Sequence, residues 1–143
     1  EDVEKEIRSV EVSALVSQVS RVPEVRAKLR TMQQKVAEQG GVVMDGRDIG
    51  SAVLPHAELK IFMTASQEVR VERRYQELLA KGEHITREQI SDNITHRDKL
   101  DTSRKEDPLV RVDDAIELDN SNVSPEEQLD LVMSWVEETL SNN

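Results

Sequence analysis

The chain has 143 residues, a length that suits one domain with a buried core. Its formal net charge of −10 argues against nonspecific nucleic-acid binding, and three aromatic residues, Phe62, Tyr75 and Trp135, are too few for stacking along a strand of bases. Zero cysteines exclude disulfides, Cys-based metal sites and thiol catalysis, and with no apolar run near the roughly 18 residues of a membrane span and nothing that reads as a signal peptide, a cytoplasmic protein without membrane partners is expected.

Helices and strands alternate along the chain. Residues from about 9 to 19 and from Pro23 to Gln39 read as helices, the second with proline in its first turn and Gly40-Gly41 closing it. Val42 and Val43, a short β-branched run bounded by glycines, predict a buried parallel strand over 42–45 with Asp45 at its carboxyl end. Leu59 to Met63 is the next buried strand, and Ser66 caps a helix that runs to Ala80 and is ended by Gly82. Thr86 and Gln89 form a capping box, with Ile85 and Ile90 as a hydrophobic staple, so a helix runs from 87 to about 103. Ala115 to Leu118 makes a third strand. Ser124, Pro125 and Glu127 start a last helix whose apolar face is Leu129, Val132, Met133, Val136 and Leu140. This alternation predicts an α/β fold with a parallel sheet flanked by helices, in one domain over 1–143 without repeat or linker.

Chemistry concentrates in Gly40 to Pro55, GGVVMDGRDIGSAVLP, where the strand ends in an acidic turn with Arg47 between two aspartates. In open α/β sheets ligands bind at the carboxyl ends of strands, so Asp45, Arg47 and Asp48 face a crevice, and Gly46 and Gly50 are expected to supply positive φ and close approach. A charged turn with internal Arg–Asp pairing reads equally well from these residues alone. Elsewhere arginines cluster at 70, 73 and 74 and at 97 and 104, as planar donors for a small anion or as surface ion pairs. On a helix Arg97, Asp101 and Arg104 fall at i, i+4 and i+7 on one face, which by itself is a salt-bridge ladder. His56, His84 and His96 have no metal-ligand spacing.

The run MDGRDIGSAVLPHAELKIFMTAS, with VERRYQELLAKG and HRDKLDTSRKEDPL after it, resembles bacterial cytidylate kinases, which phosphorylate CMP and dCMP from ATP. The resemblance is colinear over nearly the whole chain, and DGRDIG together with the R-D-x-x-D-x-x-R spacing makes it specific. That family begins with a strand and a Gly-rich phosphate loop, whereas no G-x-x-x-x-G-K-[ST] occurs here. The chain therefore resembles the carboxyl-terminal portion of such an enzyme, a partial P-loop nucleoside monophosphate kinase fold that lacks its central phosphate-loop strand. Two sheet edges would be left unpaired, so these residues are not expected to form the native fold alone. Either the amino-terminal segment acts in cis or in trans, or the edges pair in a homodimer.

The resemblance also implies roles. Ser17, Arg26 and Asp48 would read the cytosine edge, a carboxylate or hydroxyl meeting the C4 amino donor and an arginine meeting the acceptors, which rejects UMP. Arg97 and Asp101 would contact the sugar, Arg104 the sugar and phosphate, and Arg47 the acceptor's phosphate. Residues from about 66 to 104 would form the lid and its flanking helices. From that lid Arg73 and Arg74 would bind ATP, Arg73 neutralising the transferring phosphoryl group, making Arg73 and Arg47 the catalytic pair; Arg70 stays on the surface. Asp45 would face Mg2+ through water. The implied activity is transfer of the γ-phosphoryl group of ATP to CMP or dCMP, negligible in this chain alone. Against it stands a noncatalytic nucleotide-binding or oligomeric module built from the same fold, and a UMP or AMP kinase is disfavoured by the paired motifs.

Overall fold

A computed structural model describes Val3, Ile7, residues 10–20 and residues 22–142, leaving the side chains of Val10, Glu11, Ser13, Ala14 and Ser17 outside the description. The chain forms two compact units, Glu1–Pro55 with Arg97–Val110, and His56–His96 with Arg111–Asn143. In chain order the elements are α1 (Val10–Val19), α2 (Pro23–Ala37), a π-helical turn (Ile49–Val53), β1 (Ile61–Thr64), α3 (Gln67–Ala80), α4 (Arg87–Ser103), β2 (Ile116–Asp119) and α5 (Pro125–Ser141).

In the first unit, Pro23 sits in the opening turn of α2, where its missing N–H has no helical partner to lose, and Glu24 complements the helix dipole there. Gly40 ends the helix at φ 70°, its N–H donating to the Ala37 carbonyl at 2.9 Å. Residues 42–45 then form no strand, contrary to the expectation. Val43 is fully exposed and Val42 about a third so, and no backbone ladder forms over them among the described residues. β-branched residues favour a strand only where a ladder and a packed face exist. Gly46 and Gly50 likewise lack the positive φ expected of them. Gly46 serves by its missing side chain: a Cβ there would lie 2.8 Å from Ile49 Cγ1. The Asp48 carbonyl opens the π-helical turn by accepting from the Ala52 and Val53 N–H groups, and Gln34 Nε2 ties that turn to α2 through the Val53 carbonyl at 3.1 Å.

The second unit holds the sheet. β1 and β2 pair in parallel, Ile61 against Ile116 through Thr64 against Asp119, each one residue or so later than the sequence pattern predicts. Ala115 and Leu118 are buried, and the Lys60 ammonium, itself buried, pairs with exposed Asp114. The two strands are joined by way of α3 and α4, whose facing sides bury Val71, Leu78 and Ile90 with Tyr75, Ile85 and Ile94 packed around them. Local signals set these helices as the sequence indicates. Ser66 Oγ accepts from Val69 N–H at 3.3 Å, and Thr86 and Gln89 exchange both bonds of the capping box at 3.2 and 2.9 Å. At α5 the Ser124 and Glu127 box closes in the same way. Val132, Val136 and Trp135 are half-buried, whereas Leu129, Met133 and Leu140 of the expected apolar face stay exposed.

Two consequences are measurable. Ile90, with 2% of its surface exposed, sits in the centre of the apolar cluster. Ile90→Ala should lower the unfolding free energy by about 2–5 kcal/mol in chemical denaturation, whereas Leu129→Ala should stay within about 0.5 kcal/mol. Second, Arg87 lies 3.8 Å over the Tyr75 ring and donates twice to Glu72, at 2.8 and 3.0 Å. The Arg87 hydrogen bond, then that of Gln76, lowers the Glu72 pKa to about 2. A carboxylate whose folded pKa is depressed stabilises above its unfolded value and loses that contribution as pH falls through the folded one. Wild type should therefore exceed Glu72→Gln in stability at neutral pH, and in acid titrations followed by circular dichroism the gap should close between about pH 4.5 and 2.

Candidate functional site

The site is built entirely within the first unit. Four segments supply it: the end of α1, the first turns of α2, the turn at 45–48, and the carboxyl end of α4 with the loop after it. Helix periodicity stacks Arg97, Asp101 and Arg104, and Asp101 accordingly meets both arginines, Arg104 Nη1 at 3.4 Å and Arg97 Nε at 3.9 Å. A ladder alone would end there. Asp101 also accepts from Arg47 Nε at 3.1 Å, so residues 54 apart in sequence converge on one carboxylate. Its backbone carbonyl takes the Leu109 N–H at 2.8 Å, fixing the chain as it leaves α4.

Asp48 forms the second node. Its carboxylate pairs with Arg26 and stands 3.9 Å from Arg104 Nη2. Arg26 Nη1 also donates to the Ser20 carbonyl at 3.3 Å, tying α2 to the end of α1. Between these groups lies a cavity of about 160 Å³, bounded by Val16, Ser20, Arg26, Arg47, Asp48, Arg97, Asp101 and Arg104. Four guanidinium groups face it against two carboxylates, an excess of two positive charges. Arg26 and Arg104 are nearly buried, with 10% and 8% of their side-chain surface exposed, and Arg26 Nε and Arg104 Nη2 have no hydrogen-bond partner among the described residues. Burial first, and then the charge of Arg26, lowers the Arg104 pKa, while Asp48, Asp101 and Asp107 oppose that shift. A guanidinium stays charged regardless, so these donors keep their positive charge while lacking a hydrogen-bond partner.

Arg26, Arg47, Asp48, Arg97, Asp101 and Arg104 thus line one cavity. Ser17 lies in α1, but its side chain is outside the described residues; Ser20, one turn on, lines the cavity. Asp107 and Arg30, which no motif singled out, join through ion pairs of Asp107 with both Arg26 and Arg30. Arg73 and Arg74 belong to the second unit. There Arg73 donates to the Asn120 side chain at 2.8 Å and to its carbonyl at 2.7 Å, and Arg74 pairs with Glu77 at 2.7 Å. Asp45 is exposed, and no group of three or more His, Cys, Asp or Glu among the described residues could hold a metal. A single carboxylate fits Mg2+ only as an adjunct to phosphate and water, an arrangement that ion commonly takes. No helix among the described residues is long and apolar enough to cross a membrane.

Parallel strands joined through helices define an α/β protein, and the small sheet flanked by helices is a partial nucleoside monophosphate kinase fold. A family model described as cytidylate kinase matches residues 1–138, and the chain belongs to the cytidylate kinase family. The cytidylate kinase of Flavobacterium johnsoniae is 51% identical over 140 residues, 98% of this chain and 61% of the relative. That of Cytophaga hutchinsonii is 50% identical over 133 residues, covering 93% and 57%. That of Listeria monocytogenes serotype 4a is 47% identical over 142 residues, covering 99% and 63%. The chain thus spans about 60% of the length of the curated relatives it matches.

Removing the Asp101 charge leaves three guanidinium groups without their shared counter-ion. Asp101→Asn should cost about 2–3 kcal/mol of stability, and inorganic phosphate should return part of the lost melting temperature by occupying the cavity. Thermal unfolding with and without phosphate reads both effects.

Proposed function

We propose that this chain carries the acceptor-nucleotide site of a kinase that transfers the γ-phosphoryl group of ATP to CMP or dCMP. The observation that supports this most is the cavity's excess of two positive charges with a buried Arg104 Nη2 that has no hydrogen-bond partner among the described residues, a complement to a nucleotide monophosphate dianion. In this reading Arg47 and Arg104 hold the acceptor's phosphate, and Arg97 and Asp101 meet the sugar. Asp48 accepts from the cytosine amino group, Arg26 donates to the base's acceptors, and the α1 hydroxyl at Ser17 completes the set. Uracil offers an acceptor where cytosine has its donor, so UMP would face Asp48 with two acceptors opposed.

Held there, a phosphate oxygen of the acceptor forms a bond to the γ-phosphorus of ATP as the bond between that phosphorus and the β,γ-bridging oxygen breaks, and ADP departs. Such transfer needs positioning and positive charge more than covalent help. Arg73, with Arg74, supplies that charge from the lid, which with its flanking helices covers about 66–104, within a single domain that residues 1–143 only partly make up. Asp45 would help hold Mg2+ through water, and the ion would supply charge neutralisation at the nucleotide phosphates. The phosphate loop for ATP comes from an amino-terminal segment, in cis or in trans, and without it turnover is negligible. The protein works in the cytoplasm.

The test joins the chain to the amino-terminal segment of the Flavobacterium johnsoniae relative and follows ADP release with CMP, dCMP and UMP. CMP-dependent ADP formation is expected, with UMP at least about tenfold poorer and the chain alone inactive. A well-folded fusion that binds CMP yet turns nothing over would instead make the chain a noncatalytic nucleotide-binding module, and a dimer by light scattering would mark pairing of its sheet edges.

A further inference from the structure

Asp107 stands just past the end of α4, and it is the one non-glycine residue with positive φ among those described, at 47°. Such a backbone costs an L-residue energy, and aspartate is among the few that tolerate it. Its side-chain oxygen Oδ2 accepts from Arg26 Nη2 at 3.3 Å and from Arg30, and its backbone carbonyl accepts from Arg104 Nε at 2.6 Å. One residue therefore holds both arginines that line the cavity most deeply, together with a third that does not line it.

Arg26 is shared between two carboxylates, Asp48 inside the cavity and Asp107 outside its lining. A ligand whose hydrogen-bond donor engages Asp48 has to loosen the Arg26–Asp48 pair. A guanidinium as buried as Arg26 is costly to leave without a counter-ion, by several times the worth of an exposed pair. Asp107 already supplies one. We infer that Asp107 is a positioning residue for ligand recognition: by keeping Arg26 neutralised it frees Asp48 to accept a donor from the bound base, and so sets the preference for an amino-bearing base over one without a donor. The inference rests on the acceptor-nucleotide reading of the cavity and extends it to a residue outside the lining.

Asp107→Asn removes the charge while keeping shape and tolerance of positive φ, and Asp107→Gly removes the side chain without backbone strain. Both leave the carbonyl that binds Arg104. Calorimetric titration of the full chain with CMP, UMP and ribose 5-phosphate, alongside thermal unfolding of each variant, reads the effect. CMP affinity should fall about tenfold in both variants while UMP and ribose 5-phosphate change by no more than about twofold, so the CMP-to-UMP ratio collapses. Equal losses for CMP and ribose 5-phosphate would make Asp107 a general support of the fold and overturn the inference. Unchanged CMP-to-UMP preference in the variants would overturn it while leaving the nucleotide reading intact. Wild-type protein that binds ribose 5-phosphate without preferring CMP would instead remove the role given to Asp48, and the inference with it.

Discussion

Four guanidinium groups around two carboxylates, with two of the four nearly out of water, set the terms for the first unit. A buried arginine has no neutral form to retreat to, so each must find an anion or a carbonyl. That requirement explains the local architecture. The α4 end bends into Asp107 so that a backbone carbonyl can receive Arg104, α1 closes on α2 through the Ser20 carbonyl, and the turn at 47–48 is held at both of its charged residues. What the protein's own acceptors leave unmet is a net positive cavity. The same imbalance that limits the unit's own stability is one that an anion in the cavity would offset.

The two units are held together by different physics. In the second, five apolar residues are buried, Val71, Leu78, Ile90, Ala115 and Leu118, and both helices between its strands begin with side-chain caps. In the first, Val53 is the only buried apolar residue among those described, and α1 and α2 leave Leu15, Val19, Leu29, Met32 and Val36 exposed. Its cohesion comes largely from ion pairs, whose strength depends on geometry and, for the half-exposed Arg47 and Arg97, on ionic strength. An anion bridging Arg47, Arg97 and Arg104 would add cross-links between α4 and the turn at 47 that apolar packing does not provide.

How much of this could be read from residues depends on the range of the interaction that fixes each part. Helix starts were legible because caps act within four residues: Thr86 with Gln89, Ser124 with Glu127, and Pro23 in its own turn. Stacking of Arg97, Asp101 and Arg104 follows from helical period alone. Arg26 with Asp48 was reached only through the likeness to cytidylate kinases, since their 22-residue separation leaves no local trace. The segment 42–45 has strand composition without strand structure, because a strand is defined by a partner and sequence composition does not supply one. Asp107 was invisible for a related reason. Its partner Arg30 lies 77 residues away, and an Asp-Pro pair after a helix reads as an ordinary turn.

The second unit's arginines differ in how readily they could serve a phosphate. Arg73 is held by neutral groups, the side chain and carbonyl of Asn120, and Asn120 is itself anchored by donating to Gln128 Oε1 at 2.7 Å. A guanidinium bonded to a neutral amide lacks the opposite charge that a phosphate would bring, so exchanging one partner for the other would run toward phosphate. Arg74 starts from a carboxylate, Glu77, which is also claimed by Lys81 at 2.6 Å and whose pKa those two partners hold below its ordinary value. Moving Arg74 would leave Glu77 with Lys81 as its counter-ion, a small loss at an exposed pair, but phosphate would gain less over a carboxylate than over an amide. Asn120 therefore holds Arg73 through neutral acceptors alone, and the difference between the two arginines lies in their resting partners rather than in their positions along α3.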